Sequence, residues 1–199
     1  MLDTVDETQP DRRPAILVCV YESEDPSWAA LEDMADDGWH PHSARALPIG
    51  PGDPDVLAGL LTGELEDPDC RGVLLVGRTR RTDGFRIQMR AENRTLTGGA
   101  RLVRTGPALA RATAPVAEMV RALTDAGLAA DASSESEEDA GSYLLYRILT
   151  ALPDSVDAPA VGLLRAPATT DPQDLRTGIR TAAGAIARHL SPLPRIRIS

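Results

Sequence analysis

The stretch GPALARATAPVAEMVRALTDAGLAADASSESEEDAGSYLLYRIL (Gly106–Leu149) holds two helical patterns with a short strand pattern between them, and it gives the first indication of the fold class. Within it, APVAEMVRALTDAG has the apolar spacing of an amphipathic helix, and Gly127 is suited to end that helix. LAADAS then predicts a short strand, and AGSYLLYRIL, continued to Leu152, predicts a helix of mixed polarity. Alternation of this kind is typical of α/β proteins.

Apolar segments outside this stretch predict the main strands. AILVCVY (Ala15–Tyr21) and GVLLVG (Gly72–Gly77) are continuous apolar runs, as expected for strands buried on both faces of a parallel sheet. APAVGLLRAP (Ala158–Pro167) predicts another strand, and SARALPI (Ser43–Ile49) is a candidate for one more. Residues 78–105 are rich in Gly, Thr and Arg, and we expect them to be irregular.

Three further segments predict helices that alternate with these strands. DPSWAALEDMADD begins with Asp25 as a cap and Pro26 in the first turn, and Gly38 ends it. PDVLAGLLTGELED is a helix weakened by two glycines, and the last helix begins at Asp171 and Pro172. We expect these side chains of the first and last helices to face the core: Trp28, Leu31, Met34 or Ala35, Leu175, Ile179 and Ile186. The order predicts a three-layer α/β/α fold with a mostly parallel central sheet.

Length and charge restrict the organisation of the chain. The 199 residues suit one domain over 15–190, with a disordered acidic tail at 1–14 and a C-terminal tail at 191–199. A net charge of −9 argues against nonspecific nucleic-acid binding. The polar, acidic N-terminus does not resemble a signal peptide, and no apolar run is long enough to span a bilayer. We therefore expect a cytoplasmic protein without a membrane partner.

Few residues suggest metal or cofactor chemistry. The chain contains no lysine, which excludes Schiff-base chemistry and a P-loop lysine. Its two cysteines, Cys19 and Cys70, are too few and too scattered for a disulfide framework or a zinc site. His40 and His42 form the one histidine pair and lack further ligands at metal spacing, so no metal and no cofactor is expected.

Four pieces of the sequence, in order, resemble the pyroglutamyl peptidase I family, the C15 cysteine peptidases. ILVCVYESEDPSW resembles the family's opening strand and its Asn-Pro-Ser-Trp element, and VLLVG resembles the strand that leads to the catalytic Glu. The stretch from Gly106 resembles the approach to the catalytic Cys, and AVGLLRAP resembles Gly-Phe-Ile-His-Val-Pro. The resemblance implies a pyroglutamyl-peptidase-like (phosphorylase/hydrolase-like) fold.

The same resemblance implies that the catalytic residues are replaced. Aligned without gaps from Gly106, the nucleophile position is Gly141, whereas a second register places Leu145 there. The catalytic His corresponds to Arg165, and the catalytic Glu corresponds to Gln88. Glycine cannot attack a carbonyl, arginine stays protonated, and glutamine does not titrate. The resemblance therefore implies a protein without cysteine peptidase activity.

Several polar residues are candidates for a new use of the cleft that holds the catalytic residues in the pyroglutamyl peptidase I family, called the old cleft below. Arg78, Gln88, Ser142 and Arg165 would surround it, and they could hold a carboxylate or phosphate through bidentate contacts. Arg78 belongs to a cluster with Arg80, Arg81, Arg86, Arg90 and Arg94, which alternatively forms surface salt bridges. The acidic run Glu135, Glu137, Glu138 and Asp139 is either a solvated loop that favours the next helix N-terminus, or a docking patch or remodelled rim.

Two functions follow from this sequence. The first is a noncatalytic protein that binds a small molecule or a peptide terminus in the old cleft, or that acts as an interaction module. The alternative is a diverged enzyme in which Gln88 and Arg165 polarise a carbonyl while Ser142 or an acidic-loop carboxylate moves protons. The oligomeric state is left open.

Overall fold

A computed structural model describes residues 13–97 and 100–190. Its strands are β1 (Ala15–Val20), β2 (Arg45–Ile49), β3 (Cys70–Thr79), β4 (Phe85–Gln88), β5 (Arg90–Glu92), β6 (Leu109–Arg111), β7 (Ala130–Ser133) and β8 (Ala160–Pro167). Its helices are α1 (Pro26–Asp36), α2 (Pro54–Glu64), α3 (Val116–Asp125), α4 (Ala140–Ala151) and α5 (Pro172–Leu190). The tails predicted at 1–14 and 191–199 lie outside the described residues, except for residues 13 and 14.

Six strands form the central sheet in the order β2-β1-β3-β8-β4-β7. The first four are parallel to one another, β4 is antiparallel to β8, and β7 is parallel to β4. The apolar clusters place α1, α3 and α5 on one face of the sheet and α2 and α4 on the other. This confirms the three-layer α/β/α fold with a mostly parallel sheet. A separate antiparallel pair, β5 with β6, lies against α4.

The capping residues determine where the helices begin. Asp25 accepts a hydrogen bond from the Ser27 amide at 2.8 Å, and Asp171 accepts from two amides of the first turn of α5. A carboxylate in this position satisfies amides that have no partner inside the helix. Gly38 and Gly127 follow α1 and α3 in the left-handed conformation, at φ +68° and +84°. The predicted starts and ends of these helices are therefore confirmed.

The core-facing residues agree with the helical periodicity. Leu31 and Met34 of α1 are buried, Trp28 is half-buried, and Ala35 is exposed. In the last helix the three predicted core residues are all buried: Leu175, Ile179 and Ile186. Because aromatic residues are only 3% of the chain, aliphatic side chains provide most of this packing.

The prediction that residues 78–105 are irregular is wrong for part of that range. It contains the end of β3, all of β4, which is the fifth strand of the sheet, and β5. Phe85 and Ile87 of β4 are buried, whereas Arg86 between them is half-buried. A strand this short, with Arg86 between its two apolar residues, has a weak local pattern and is fixed by pairing with β7 and β8.

Within residues 13–97 and 100–190, no helix is both long enough and apolar enough to cross a membrane.

Candidate functional site

The four predicted site residues and Tyr21 come from five places in the fold, and these meet at the carboxyl end of the parallel strands. Tyr21 follows β1, Arg78 lies near the end of β3, and Arg165 lies near the end of β8. Gln88 ends β4, and Ser142 lies in the first turn of α4. Ligands of α/β proteins commonly bind at this end of the sheet.

Arg165 is the centre of the cluster. Its side chain is 2% exposed, and it makes a two-pronged salt bridge with Asp139, from Nη1 to Oδ2 at 2.5 Å and from Nη2 to Oδ1 at 2.8 Å. Its Nε donates to Gln88 Oε1 at 2.9 Å, and its Nη2 also donates to Ser142 Oγ at 3.0 Å. The backbone carbonyl of Arg78 accepts from Nη1 at 3.0 Å.

All five N–H groups of the Arg165 guanidinium therefore have an acceptor within the protein. Burial by itself lowers the pKa of this guanidinium, but the hydrogen bonds and charge of Asp139 outweigh burial and hold it above the usual value. Arg165 is consequently a permanent cation. A buried charge is tolerated when it is paired and fully hydrogen-bonded, as it is here.

Gln88 and Ser142 complete the same network. Gln88 Nε2 donates to the Arg90 carbonyl at 2.8 Å and to Ser142 Oγ at 3.1 Å. Ser142 Oγ donates back to Gln88 Oε1 at 3.3 Å. The structure thus brings Gln88, Ser142 and Arg165 together, as the sequence suggested, and they are bonded mainly to one another. Whether they bind a ligand stays a prediction.

Gly141 lies against the hydroxyl end of the Tyr21 side chain. A Cβ placed on Gly141 would come within 2.3 Å of the Tyr21 hydroxyl oxygen, and one on Gly77 would come within 1.9 Å of it. Tyr21 is buried, and burial raises the pKa of its phenol above the usual range, although the charge of Arg165 partly opposes this. The space next to the backbone of Gly141 is thus filled by an aromatic ring. Leu145, the other candidate position, is buried in the core between the sheet and α4.

The Arg78 side chain is directed away from this network. Its Nε donates to Asp25 Oδ1 at 3.0 Å, and its Nη1 donates to the Pro167 carbonyl at 3.0 Å. Asp25 also caps α1, so the pair connects the end of β3 to the start of the first helix. Arg78 contributes its carbonyl, rather than its guanidinium, to the Arg165 cluster.

The acidic run and the arginine cluster bind each other across the edge of the site. Arg81 pairs with Glu135 at 2.7 Å, and Arg94 pairs with Glu138 at 2.6 Å. Glu137 accepts a hydrogen bond from the Thr79 hydroxyl at 2.6 Å.

Other arginines of the cluster bind elsewhere: Arg86 pairs with Asp83 and Asp131, and Arg90 donates to the Ser134 carbonyl. Asp139 also caps α4, accepting from the Ser142 amide at 2.9 Å.

An open cleft of about 630 Å³ lies beside the buried network. The residues that line it are Glu22, Arg78, Thr79, Arg80, Glu137, Glu138, Asp139 and Ala168. Burial, followed by repulsion from Asp25 and Asp139, raises the pKa of the Glu22 carboxyl above its usual value. The cleft therefore presents both carboxylates and guanidinium groups to a ligand.

The two cysteines have the character of buried core residues. Cys19 lies within β1, and burial raises the pKa of its thiol to about 12. Burial likewise raises the pKa of Cys70 to about 11. A thiol with so high a pKa is a poor nucleophile near neutral pH. Among the residues that the structure describes, no three His, Cys, Asp or Glu side chains are placed to hold a metal ion.

Two residues of the cluster were not among the predicted site residues. Tyr21 directly follows the first predicted strand, in a chain with few aromatic residues, and this position is the only sequence signal for its part in the site. Asp139 was assigned only to the acidic run. Its role depends on Arg165, which lies 26 positions away, and no local pattern indicates that pair.

No family model matches the sequence, and no curated protein matches it with significance. Solved structures do match. Pyroglutamyl peptidase I from Bacillus amyloliquefaciens is 14% identical, with a TM-score of 0.75 over 88% of this chain and 95% of that chain. Pyrrolidone carboxyl peptidase from Thermus thermophilus is 21% identical, with a TM-score of 0.69 over 85% of this chain and 99% of that chain. A mutant pyrrolidone carboxyl peptidase from Pyrococcus furiosus is 16% identical, with a TM-score of 0.75 over 89% and 100%. The chain therefore has the fold of these pyroglutamyl peptidase I and pyrrolidone carboxyl peptidase structures.

Proposed function

We propose that this chain is a pyroglutamyl-peptidase-like protein without cysteine peptidase activity, and that it binds a small molecule or a peptide terminus in the cleft beside Arg165. The observation that carries the proposal is the state of Arg165. The resemblance assigns it to the position of the catalytic His, yet each of its N–H groups is bonded within the protein. A group in that state neither accepts a proton from a nucleophile nor delivers one to a leaving amine.

The surroundings of Gly141 support the same conclusion. A cysteine peptidase requires a thiolate next to a base. Gly141 has no side chain, and the Tyr21 ring occupies the volume that a thiol on this residue would need. Cys19 cannot take over the role, because it is enclosed in β1 and its pKa is raised to about 12.

The open cleft supports a binding function. Its volume of about 630 Å³ is typical of small-ligand sites. Glu22 and Glu137 offer carboxylates to an amino group, whereas Arg80 offers a guanidinium to an anion. Charged groups of both signs suit a ligand that carries charge, such as a peptide terminus.

The test combines hydrolysis with binding. Purified protein is given a fluorogenic pyroglutamyl amide beside an active pyroglutamyl peptidase, and its thermal stability is measured with peptides that have free or blocked termini. We expect no turnover, with or without iodoacetamide, and a saturable stabilisation by at least one class of terminus. The Glu22→Gln variant changes the cleft without removing an ion-pair or hydrogen-bond partner of Arg165, and it should weaken that stabilisation. Glu137→Gln should weaken it as well, but it also removes a carboxylate that lies 3.9 Å from Arg165 Nε.

Turnover that iodoacetamide abolishes would show that a cysteine acts as the nucleophile, and the proposal would then be wrong. A reconstruction extends the test. The variant Gly141→Cys, Arg165→His, Gln88→Glu should remain inactive while Tyr21 fills the thiol's space. Adding Tyr21→Ala removes both the hydroxyl and the ring atoms that would lie 2.3–3.1 Å from a Cβ at position 141. Activity gained only with the fourth substitution would support both Gly141 as the nucleophile position and Tyr21 as its obstruction.

The diverged enzyme remains the second candidate, and one contact favours it. The Thr79 hydroxyl donates to Glu137 at 2.6 Å on the wall of the open cleft, where a carboxylate can take a proton from a hydroxyl. Hydrolysis of other esters or amides that is lost in Thr79→Val and in Glu137→Gln would select this function over simple binding.

A further inference from the structure

We propose that Asp139 is a built-in occupant of a carboxylate-binding site, and that the carboxylate of an external ligand takes its place when the segment 134–139 moves outward. The inference rests on the proposed binding function and names a ligand class for it. The class is a carboxylate, whether it belongs to a peptide C-terminus or to a small organic acid.

The contacts of Asp139 define the site. Three donors converge on its carboxylate: Arg165 Nη1 at 2.5 Å, Arg165 Nη2 at 2.8 Å and the Ser142 amide at 2.9 Å. A planar guanidinium that binds both oxygens, together with an amide of a helix's first turn, is a strong arrangement for a carboxylate. Nothing in this set of donors requires that the carboxylate belong to the same chain.

The donors are fixed independently of Asp139. Arg165 is also bonded to Gln88 Oε1, Ser142 Oγ and the Arg78 carbonyl, and it extends from the paired strand β8. If Asp139 withdrew, these contacts would continue to hold the guanidinium in place. The site is therefore organised in advance for a replacement carboxylate.

Asp139 lies where a ligand can reach it. Its side chain is 24% exposed, whereas that of Arg165 is 2% exposed, and Asp139 forms part of the wall of the open cleft. A ligand in the cleft thus meets the carboxylate of Asp139 before it meets Arg165. Exchange of one carboxylate for the other leaves the buried charge paired at the end of the process.

The segment that carries Asp139 is held mainly by exposed contacts. The Arg81–Glu135 and Arg94–Glu138 pairs both lie at the surface, where such pairs contribute little stability. Three further contacts hold the segment: the Thr79 hydroxyl donates to Glu137 at 2.6 Å, Arg90 Nε donates to the Ser134 carbonyl at 2.7 Å, and Glu137 Oε1 lies 3.9 Å from Arg165 Nε. Outward movement of the segment costs these contacts together with those of Asp139, and the ligand replaces the contacts of Asp139.

The experiment uses sodium formate as the probe and thermal unfolding as the readout, at constant ionic strength maintained with chloride. The Asp139→Gly variant keeps a residue that is tolerated at a helix N-cap and removes the internal carboxylate. We expect formate to stabilise it saturably. Wild type should show the same saturable shift at a formate concentration at least about ten-fold higher, because the tethered Asp139 competes.

Two control variants make the result specific. Asp171→Gly removes the equivalent cap of α5, whose carboxylate accepts only from amides of its own helix, and it should gain no formate response. Asp139→Gly with Arg165→Gln lacks the guanidinium and should not respond either. If Asp139→Gly does not fold alone, formate should restore its circular dichroism spectrum, and failure to do so overturns the inference.

A response in Asp139→Gly without any saturable response in wild type would also overturn it, because Asp139 would then be a permanent structural occupant. Loss of the formate response leaves the proposed binding of other ligands in the cleft untouched. Conversely, iodoacetamide-sensitive turnover would end the proposed function without changing the formate result, so the two failures are distinguishable.

Discussion

The Arg165–Asp139 pair and the Arg81–Glu135 pair join the same two chemical groups in different surroundings. The Arg165 side chain is 2% exposed and every N–H group is bonded, whereas the Arg81 and Glu135 side chains are 52% and 67% exposed. Water solvates the surface pair whether or not it forms, so its formation changes little. The Arg165 guanidinium is closed off from water, so water cannot replace Asp139 as its partner. The comparison predicts that exposure, rather than the number of ion pairs, determines how much the stability of this chain depends on each pair.

The largest expected effect is on the buried pair. Arg165→Met leaves the carboxylate of Asp139 and the polar groups of Gln88 and Ser142 without their main partner, and we expect the free energy of unfolding to fall by about 3–5 kcal/mol. Arg81→Met is the matched control, and its effect should be below about 1 kcal/mol. Urea unfolding followed by circular dichroism measures both.

Equal effects of the two substitutions would contradict the comparison. A double variant sharpens it further. Arg165→Met with Asp139→Ala removes both charges, so part of the stability that Arg165→Met loses should return. If the double variant is less stable than the single variant by the full cost of a lost helix cap, the Asp139 carboxylate does not depend on Arg165 for compensation.

The next largest expected effect is on stability, and it compares Gly141, a helical glycine inside the site, with Gly59, a helical glycine in open space. Gly141→Ala places a methyl group within 2.3 Å of the Tyr21 hydroxyl, and we expect a loss of about 1–3 kcal/mol. Gly59→Ala on α2 meets open space, and it should instead stabilise the protein by about 0.5–1 kcal/mol. Thermal and urea unfolding of the two variants should thus give opposite signs.

Tyr21→Ala provides the background that isolates the clash. In that background the additional cost of Gly141→Ala should disappear, because the ring that the methyl group meets is gone. An unchanged cost would mean that something other than the Tyr21 ring opposes a side chain at position 141.

The smallest effect is a change in pH dependence at the rim of the site. Burial and the nearby Asp25 and Asp139 raise the pKa of Glu22 in the folded state, so folding favours its protonated form. Wild type therefore loses the contribution of this group as the pH rises through the folded-state pKa. Glu22→Gln should be more stable than wild type at pH 7, and the difference should shrink below the unfolded-state pKa. A difference that grows toward low pH would contradict this assignment.

Much of the fold was predictable because its elements have strong local signals. β1, β3 and β8 are apolar runs, and α1 and α5 begin with an Asp-Pro pair that caps the helix. β4 was missed because its four residues include Arg86, and its place depends on pairing with β8 and β7, which come later in the chain. Short strands carry little information about such partners.

The residues of the site were predictable only in part. Gln88, Ser142 and Arg165 were expected near one another from the resemblance, and the structure brings them into contact. The sequence did not indicate that Asp139 would take up the Arg165 guanidinium, or that Tyr21 would cover Gly141. Both contacts join residues that are far apart in the chain.

The sequence established the apolar strands β1, β3 and β8 and the helix starts at Asp25 and Asp171, because these depend on residue types and on spacing along a few turns or strand residues. Tertiary structure alone decided that the Arg165 cation would be enclosed with a carboxylate and that an aromatic ring would fill the space over Gly141. The physical reason is that the energy of a buried charge, and the room for a side chain, depend on every group within a few ångströms. Those groups are brought together only when the sheet and its helices pack.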